Sequence, residues 1–409
     1  MEKFNNNPLI YLIPIICGFT AANMYYVQPL VPVISSELMV SYERASMLYS
    51  FALTGNALSL FFIIPLGDFY SKRKLISLLY FLSTMLLLIF FITKSYYLLS
   101  ASAVLIGTGT SAIPLITAGL SKQQGGTRYI GRIMAGVLTG ILFSRFLSSM
   151  LSEIWGWKSV YALSALVMFL SGIILYKDYP APDNPDNPDN PDNPDNPDNP
   201  DNPDNKEVKT HAFYFHILFL NIRGLTQDSI IRYYCFNAFA IMFLFSAFWS
   251  NVSMYLTTAF HFSQTQVGLF SLTGVAGASS AFFSSRILEI INYRNNTLFF
   301  LVVASLLVMG FSGNHLSITV AGALLIDAFI QLIHVNNQRG LFLSCQGNEA
   351  RAASCYMMSF VTGGAIGGFI SSYLYAIFGW NVVLISCAII TMIPLFIKTK
   401  TRENFNEPN

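Results

Sequence analysis

The chain has 409 residues, 54% hydrophobic and only 11% charged, whereas a soluble protein carries about 25% charged residues. A net charge of +2, with no basic cluster interleaved with stacking aromatics, excludes a nucleic-acid-binding protein. The five cysteines, Cys17, Cys235, Cys345, Cys355 and Cys387, form no CxxC pair, so they read as small apolar fillers rather than a zinc or redox site.

A bilayer core takes about 20 apolar residues per helix. That length predicts twelve spans, near 9–32, 45–66, 75–93, 96–120, 130–151, 157–176, 233–257, 266–288, 296–312, 315–337, 352–376 and 380–397. The fold class is therefore an all-α integral membrane protein with twelve transmembrane helices. The start, "MEKFNNNPLI", lacks a cleavage signature, so the first apolar run is expected to be a retained span. "GTGTSA" at 107–112 lies inside span 4 with no preceding strand and reads as helix packing rather than a dinucleotide loop. No HExxH, GxSxG or P-loop occurs, so the sequence points away from an enzyme and from ATP-driven transport, with no cofactor and no metal.

Lysine and arginine set the orientation. Nineteen of them fall on the side of the termini and the even-to-odd loops, and three (Arg44, Lys94 and Lys158) on the other. Both termini are expected in the cytoplasm, with the protein multi-pass in its membrane. The one remaining cation, Arg145, lies within span 5.

Two features organise the chain. At a constant offset of 223, Thr139-Gly140 meets Thr362-Gly363, Ser148-Ser149 meets Ser371-Ser372, and Gly156-Trp157 meets Gly379-Trp380. Spans 5 and 6 thus recur as 11 and 12, which predicts two six-helix pseudo-repeats. Between the halves stand eight copies of Pro-Asp-Asn, 182–205, a donor-poor, solvated, helix-blocking run expected to act as a tether. The apolar stretch 211–222 is too short to span and is expected to lie at the cytoplasmic surface. The expected domains are an N-terminal bundle (1–176), a linker (177–232), a C-terminal bundle (233–398) and a tail (399–409).

Polar residues inside apolar spans are functional candidates. In span 10, Asp327, Gln331, His334 and Gln338 fall on one narrow helical arc, with His334 about 10 Å nearer the cytoplasm than Asp327 at ~1.5 Å per residue. Asp327, His334 and Arg145 are candidates for proton coupling. A fixed Asp327–Arg145 bridge joining the halves is the structural alternative, and for His334 an interfacial position. Asn23, Tyr26 and Gln28 in span 1, Trp249 and Asn251 in span 7, and Gln331 are candidates for a substrate cavity; taken singly, each also fits plain packing.

The stretches "YYVQPLVPVISSEL" (25–38), "IPLGDFYSKRKLI" (64–76), "SAFWSNVSMYL" (246–256) and "IDAFIQLIHVNNQ" (326–338) resemble a bacterial branch of the major facilitator superfamily, close to its twelve-helix drug:proton antiporters. The resemblance implies that spans 1, 4, 7 and 10 line a central cavity. It also implies that Asp68, Lys72, Arg73 and Lys74 form a gating loop between spans 2 and 3. Ile64, Phe69 and Ser71 depart from that loop's usual pattern. Span 5 lacks the Gly-Pro-x-x-Gly-Gly element of antiporters, and a glycine-rich run appears instead at 363–368. The resulting expectation is a monomeric secondary transporter that exports a small organic solute by alternating access, coupled to protons. Nutrient uptake by the same fold, or a transporter-like membrane sensor, are the alternatives.

Overall fold

The computed structural model describes residues 9–68, 70–121, 126–179, 228–292, 294–311, 313–345 and 349–396. The Pro-Asp-Asn tether, the segment 211–222 and the C-terminal tail lie outside the described residues. All regular structure among the described residues is helical. Eight helices are long and apolar enough to cross a membrane, one further span is a bent helix pair, and three shorter apolar helices accompany them. Together these make the twelve spans.

Three spans are not the continuous rods that apolar length suggests. Span 1 consists of Leu9–Tyr25 and Val27–Leu38. Span 4 consists of Tyr96–Gly109 and Ala112–Ser121. Both breaks lie just before a proline: Tyr26 is three residues before Pro29, and Thr110 is four residues before Pro114. Proline gives no N–H to the carbonyl four residues back, and its ring crowds that carbonyl. The Thr110 hydroxyl, at the break in span 4, donates to Asn56 Oδ1 of span 2 (2.8 Å). Span 8 runs from Gln264 through a 3₁₀ turn at Leu272–Gly274 and bends by 73° before Ser284–Ile290, in a stretch rich in glycine and serine.

The remaining spans are span 2 (Tyr42–Phe62), span 3 (Lys72–Ile92), span 5 (Gly126–Trp155) and span 6 (Ser159–Asp178). In the second half follow span 7 (Ser229–Phe260), span 9 (Asn295–Phe311), span 10 (Leu316–Ser344), span 11 (Glu349–Phe378) and span 12 (Trp380–Phe396). Large apolar side chains such as Phe282, Phe311 and Phe396 stay exposed on the helices, as a lipid-facing surface requires.

The chain forms two compact units, Met1–Tyr26 with Thr54–Leu220, and Val27–Leu53 with Asn221–Asn409. The first boundary coincides with the break of span 1 at Tyr26. In the first unit, spans 1 and 5 meet backbone to backbone: a Cβ on Gly140 would stand 2.1 Å from the Gly18 carbonyl oxygen. In the second unit, spans 7 and 11 meet in the same way, and a Cβ on Gly363 would stand 2.3 Å from the Phe239 carbonyl oxygen. Small residues permit such approach where lipid gives helices no hydrophobic drive to associate. Gly140 and Gly363 are repeat partners, so the two contacts correspond.

The repeat also extends to backbone conformation. Gly156 and Gly379 both take positive φ, +84° and +79°, at the turns into spans 6 and 12. A residue with a Cβ is strained there. The tightest approach is at Gly55, whose added Cβ would lie 1.7 Å from the Val104 carbonyl oxygen. Gly55→Val is therefore expected to leave no monodisperse protein after detergent extraction, as read by size-exclusion chromatography.

Candidate functional site

Asp327 lies near the middle of span 10 and is 4% exposed. A carboxylate in such surroundings is costly unless it is bonded or neutralised. Its Oδ1 accepts a hydrogen bond from the indole Nε1–H of Trp249 in span 7 (2.9 Å). Trp249 is itself held by the rings of Phe245, Phe248 and Phe270. On the span 8 side, Gly277 packs against the turn that carries Asp327 and Gln331. A Cβ there would stand 3.2 Å from both the Asp327 carbonyl oxygen and Gln331 Cγ. Indole, glycine and the span 10 backbone together hold the carboxylate in one place.

Farther along the same arc, His334 bonds on both ring nitrogens. Nδ1 meets the Tyr356 hydroxyl of span 11 (3.0 Å), and Nε2 meets the Gln338 amide nitrogen (3.3 Å). The rings of Tyr356 and Phe360 flank it. The arc therefore meets spans 7 and 8 at Asp327 and span 11 at His334. Arg145, in the first unit, is 2% exposed and sits over the ring of Tyr25 at 5.5 Å, a cation–π contact.

The cavity candidates divide. In the first unit, Asn23 Oδ1 accepts from the Ser164 hydroxyl of span 6 (2.5 Å). Tyr26, at the break of span 1, turns edge-on to Tyr161. In the second unit, Gln28 is buried, and its backbone carbonyl accepts from the Ser253 hydroxyl (2.9 Å). Asn251 is fully buried and commits both amide hydrogens, to the Ala247 carbonyl (2.7 Å) and to Ser371 Oγ (2.8 Å).

Asn251 belongs to a set of polar ties that hold Val27–Leu53 against spans 7, 8 and 11. The Tyr42 hydroxyl stands 2.9 Å from the Ser250 carbonyl and 3.0 Å from Asn251 Oδ1, and donates to one of them. The hydroxyls of Ser46 and Ser372 are paired at 2.6 Å, and those of Tyr49 and Ser246 at 3.3 Å. Gln264 Nε2 donates to the Pro29 carbonyl (2.6 Å). Sequence reasoning noticed Ser371-Ser372 only as a repeat, and it passed over Tyr42 and Ser46. Ser46 carried a signal, a hydroxyl inside the apolar run 45–66, whereas Tyr42 lies before that run.

The loop between spans 2 and 3 has a definite local structure. Asp68 closes the short 3₁₀ helix Ile64–Asp68, and Lys72, Arg73 and Lys74 make the first turn of span 3. Cations at a helix N-terminus oppose its dipole. Arg73 escapes this by reaching the opposite kind of terminus. Its Nε and a terminal guanidinium nitrogen donate to the carbonyls of Tyr176 and Lys177 at the end of span 6. Its guanidinium also covers the Tyr176 ring. Among the described residues, no group of three or more His, Cys, Asp or Glu side chains is placed to hold a metal.

Known proteins agree with this architecture. The chain is 26% identical over 396 residues to "Uncharacterized transporter YgaY" of Escherichia coli O157:H7, covering 95% of this chain and 94% of that one. It is 24% identical over 387 residues to "Probable transporter SCO4007" of Streptomyces coelicolor, covering 92% and 83%. Among solved structures, it matches a bacterial homologue of the human lysosomal transporter Spinster, crystallised inward-facing and unoccupied. The TM-score is 0.71 at 12% identity, over 94% of each chain. That likeness is one of fold. The profile of the Major Facilitator Superfamily matches residues 15–326 and again 234–408. With twelve spans, a repeat carried into the backbone and that match over most of its length, the chain belongs to the Major Facilitator Superfamily of membrane transporters.

Proposed function

We propose that the protein is a proton-coupled exporter of a small organic solute, working by alternating access in the bacterial inner membrane as a monomer with both termini cytoplasmic. The observation that carries the reading is the buried carboxylate of Asp327, midway along span 10 and bonded to Trp249. A group in that position can exchange a proton between two access states, or meet a solute that competes for it. The rest of the arc, Gln331, His334 and Gln338, gives the proton a polar route toward the cytoplasmic end. The ties between Val27–Leu53 and spans 7, 8 and 11 serve as the closure at the opposite mouth. The cytoplasmic excess of lysine and arginine supports the orientation.

The test uses purified protein in liposomes with an imposed pH gradient and a panel of amphiphilic solutes. Solute-dependent proton flux supports the reading. Solute flux that ignores the gradient removes the coupling and leaves a facilitator. Gradient-driven accumulation on the cytoplasmic side instead means uptake.

The tether is expected to join the two six-helix bundles, 1–176 and 233–398, without a part in transport. Cutting the eight Pro-Asp-Asn copies to three is expected to leave solute flux within about twofold, because loop-closure entropy changes only slowly with length. Loss of flux at normal expression would give the repeat a role of its own.

A further inference from the structure

The two helices of span 4 are held by different partners. The first, Tyr96–Gly109, is fixed against spans 2 and 3. Gly55 of span 2 abuts its Val104 carbonyl, and a Cβ on Gly109 would stand 2.1 Å from Ser83 Oγ of span 3. The second, Ala112–Ser121, meets other groups. Its Leu115 covers Gly67 in the short helix before span 3, where a Cβ would lie 2.4 Å from Leu115 Cδ2. About one turn on, Tyr179 reaches it from the end of span 6. The Tyr179 hydroxyl donates to the Ile116 carbonyl (3.3 Å). Its oxygen fills the notch at Gly119, where a Cβ would stand 2.1 Å from it.

The join between the halves has its own backbone pattern. The N–H groups of Thr110, Ser111 and Ile113 bond three residues back, to the carbonyls of Gly107, Thr108 and Thr110 (3.3, 3.2 and 3.1 Å). Pro114 has no N–H to give the Thr110 carbonyl. A stretch of 3₁₀ bonds inside a helix often marks a hinge.

Tyr179 is the residue after span 6 ends, yet it is 3% exposed, whereas Tyr176 is 55% exposed. Arg73 directs the backbone here, bonding the carbonyls of Tyr176 and Lys177 and covering the Tyr176 ring. The end of span 6 is thus tied to span 3, and the next tyrosine to span 4. The linker follows directly.

We propose that Tyr179 is a positioning residue that pegs the second half of span 4 in place. Its withdrawal frees that half to swing at the Thr110–Ser111 hinge while the first half stays fixed. A movable piece of a span is thereby governed from the point where the linker joins the bundle. The peg is independent of the coupling reading, because it depends on neither the ion nor the solute.

Hydrogen–deuterium exchange of the full-length protein in nanodiscs, read by mass spectrometry, tests it, since amide exchange reports local opening. In Tyr179→Ala, exchange is expected to rise several-fold over 112–121 and to stay unchanged over 96–109. Gly119→Ala is expected to do the same, because its Cβ takes the place of the phenol oxygen. Adding Tyr179→Phe to Gly119→Ala removes that oxygen and leaves Cζ, at 3.2 Å, as the nearest atom. The double variant is therefore expected to regain most of the protection that Gly119→Ala loses. Unaltered exchange over 112–121 in a folded Tyr179→Ala protein, an equal rise in both halves, or no rescue in the double variant would each overturn the peg. If Tyr179→Ala does not fold, Gly119→Ala and the double variant decide alone.

Discussion

Asp327→Asn is expected to reduce solute-driven proton movement in inverted vesicles to the level of vesicles without the protein, with expression and thermal stability preserved. The substitution is nearly isosteric, and an asparagine Oδ1 still accepts from the Trp249 indole at the position where Asp327 Oδ1 lies 2.9 Å away. Packing against Gly277 is also kept, because the contacts there are with the Asp327 backbone and Cβ. What disappears is the titrating proton and the negative charge. Trp249→Phe tests the same unit from the other side. It keeps an aromatic ring among Phe245, Phe248 and Phe270 and removes one hydrogen bond to a charged group, worth about 1.5–3 kcal/mol. Its flux is expected to fall without vanishing. Full proton movement in Asp327→Asn would sink the coupling role and leave Asp327 as a structural group.

Cross-linking the closure is expected to stop transport reversibly. The Ser46 and Ser372 hydroxyls lie 2.6 Å apart across spans 2 and 11, so cysteines at both positions stand within disulfide reach. The five native cysteines are buried and form no disulfide, which keeps background oxidation low. Ser46→Cys/Ser372→Cys, oxidised in membranes, is expected to lose nearly all solute flux and recover it on reduction, while each single variant stays active. A weaker version is Tyr42→Phe, which deletes the hydroxyl that reaches Ser250 and Asn251. One hydrogen bond nets about 0.5–1.5 kcal/mol, and 1.4 kcal/mol is a tenfold change in an equilibrium. Tyr42→Phe is therefore expected to shift the closed–open balance by up to about tenfold, read as faster labelling of a cysteine placed at Ser46. Full activity of the oxidised double variant would mean that spans 2 and 11 stay together throughout the cycle.

The sequence by itself determined the membrane class, the twelve spans and the repeat. These rest on length, composition and offset, which need no knowledge of neighbours. It also marked Asp327, because a carboxylate between Leu-Leu-Ile and Ala-Phe-Ile is conspicuous at any rotation of its helix. The breaks of spans 1 and 4 were present in Pro29 and Pro114, but an apolar-length criterion does not register a missing N–H. The partners were decided only in the tertiary structure. Span 7 is buried on nearly every side from Asn237 to Leu256, so no polar stripe says which neighbour each residue meets. Polar side chains two residues apart on this helix thus became a carboxylate holder at Trp249 and an interhelical tie at Asn251. A helix surrounded by protein has its contacts set by its rotation and its crossing neighbours. Those are properties of the packed bundle, and the order of residues along one strand of chain does not contain them.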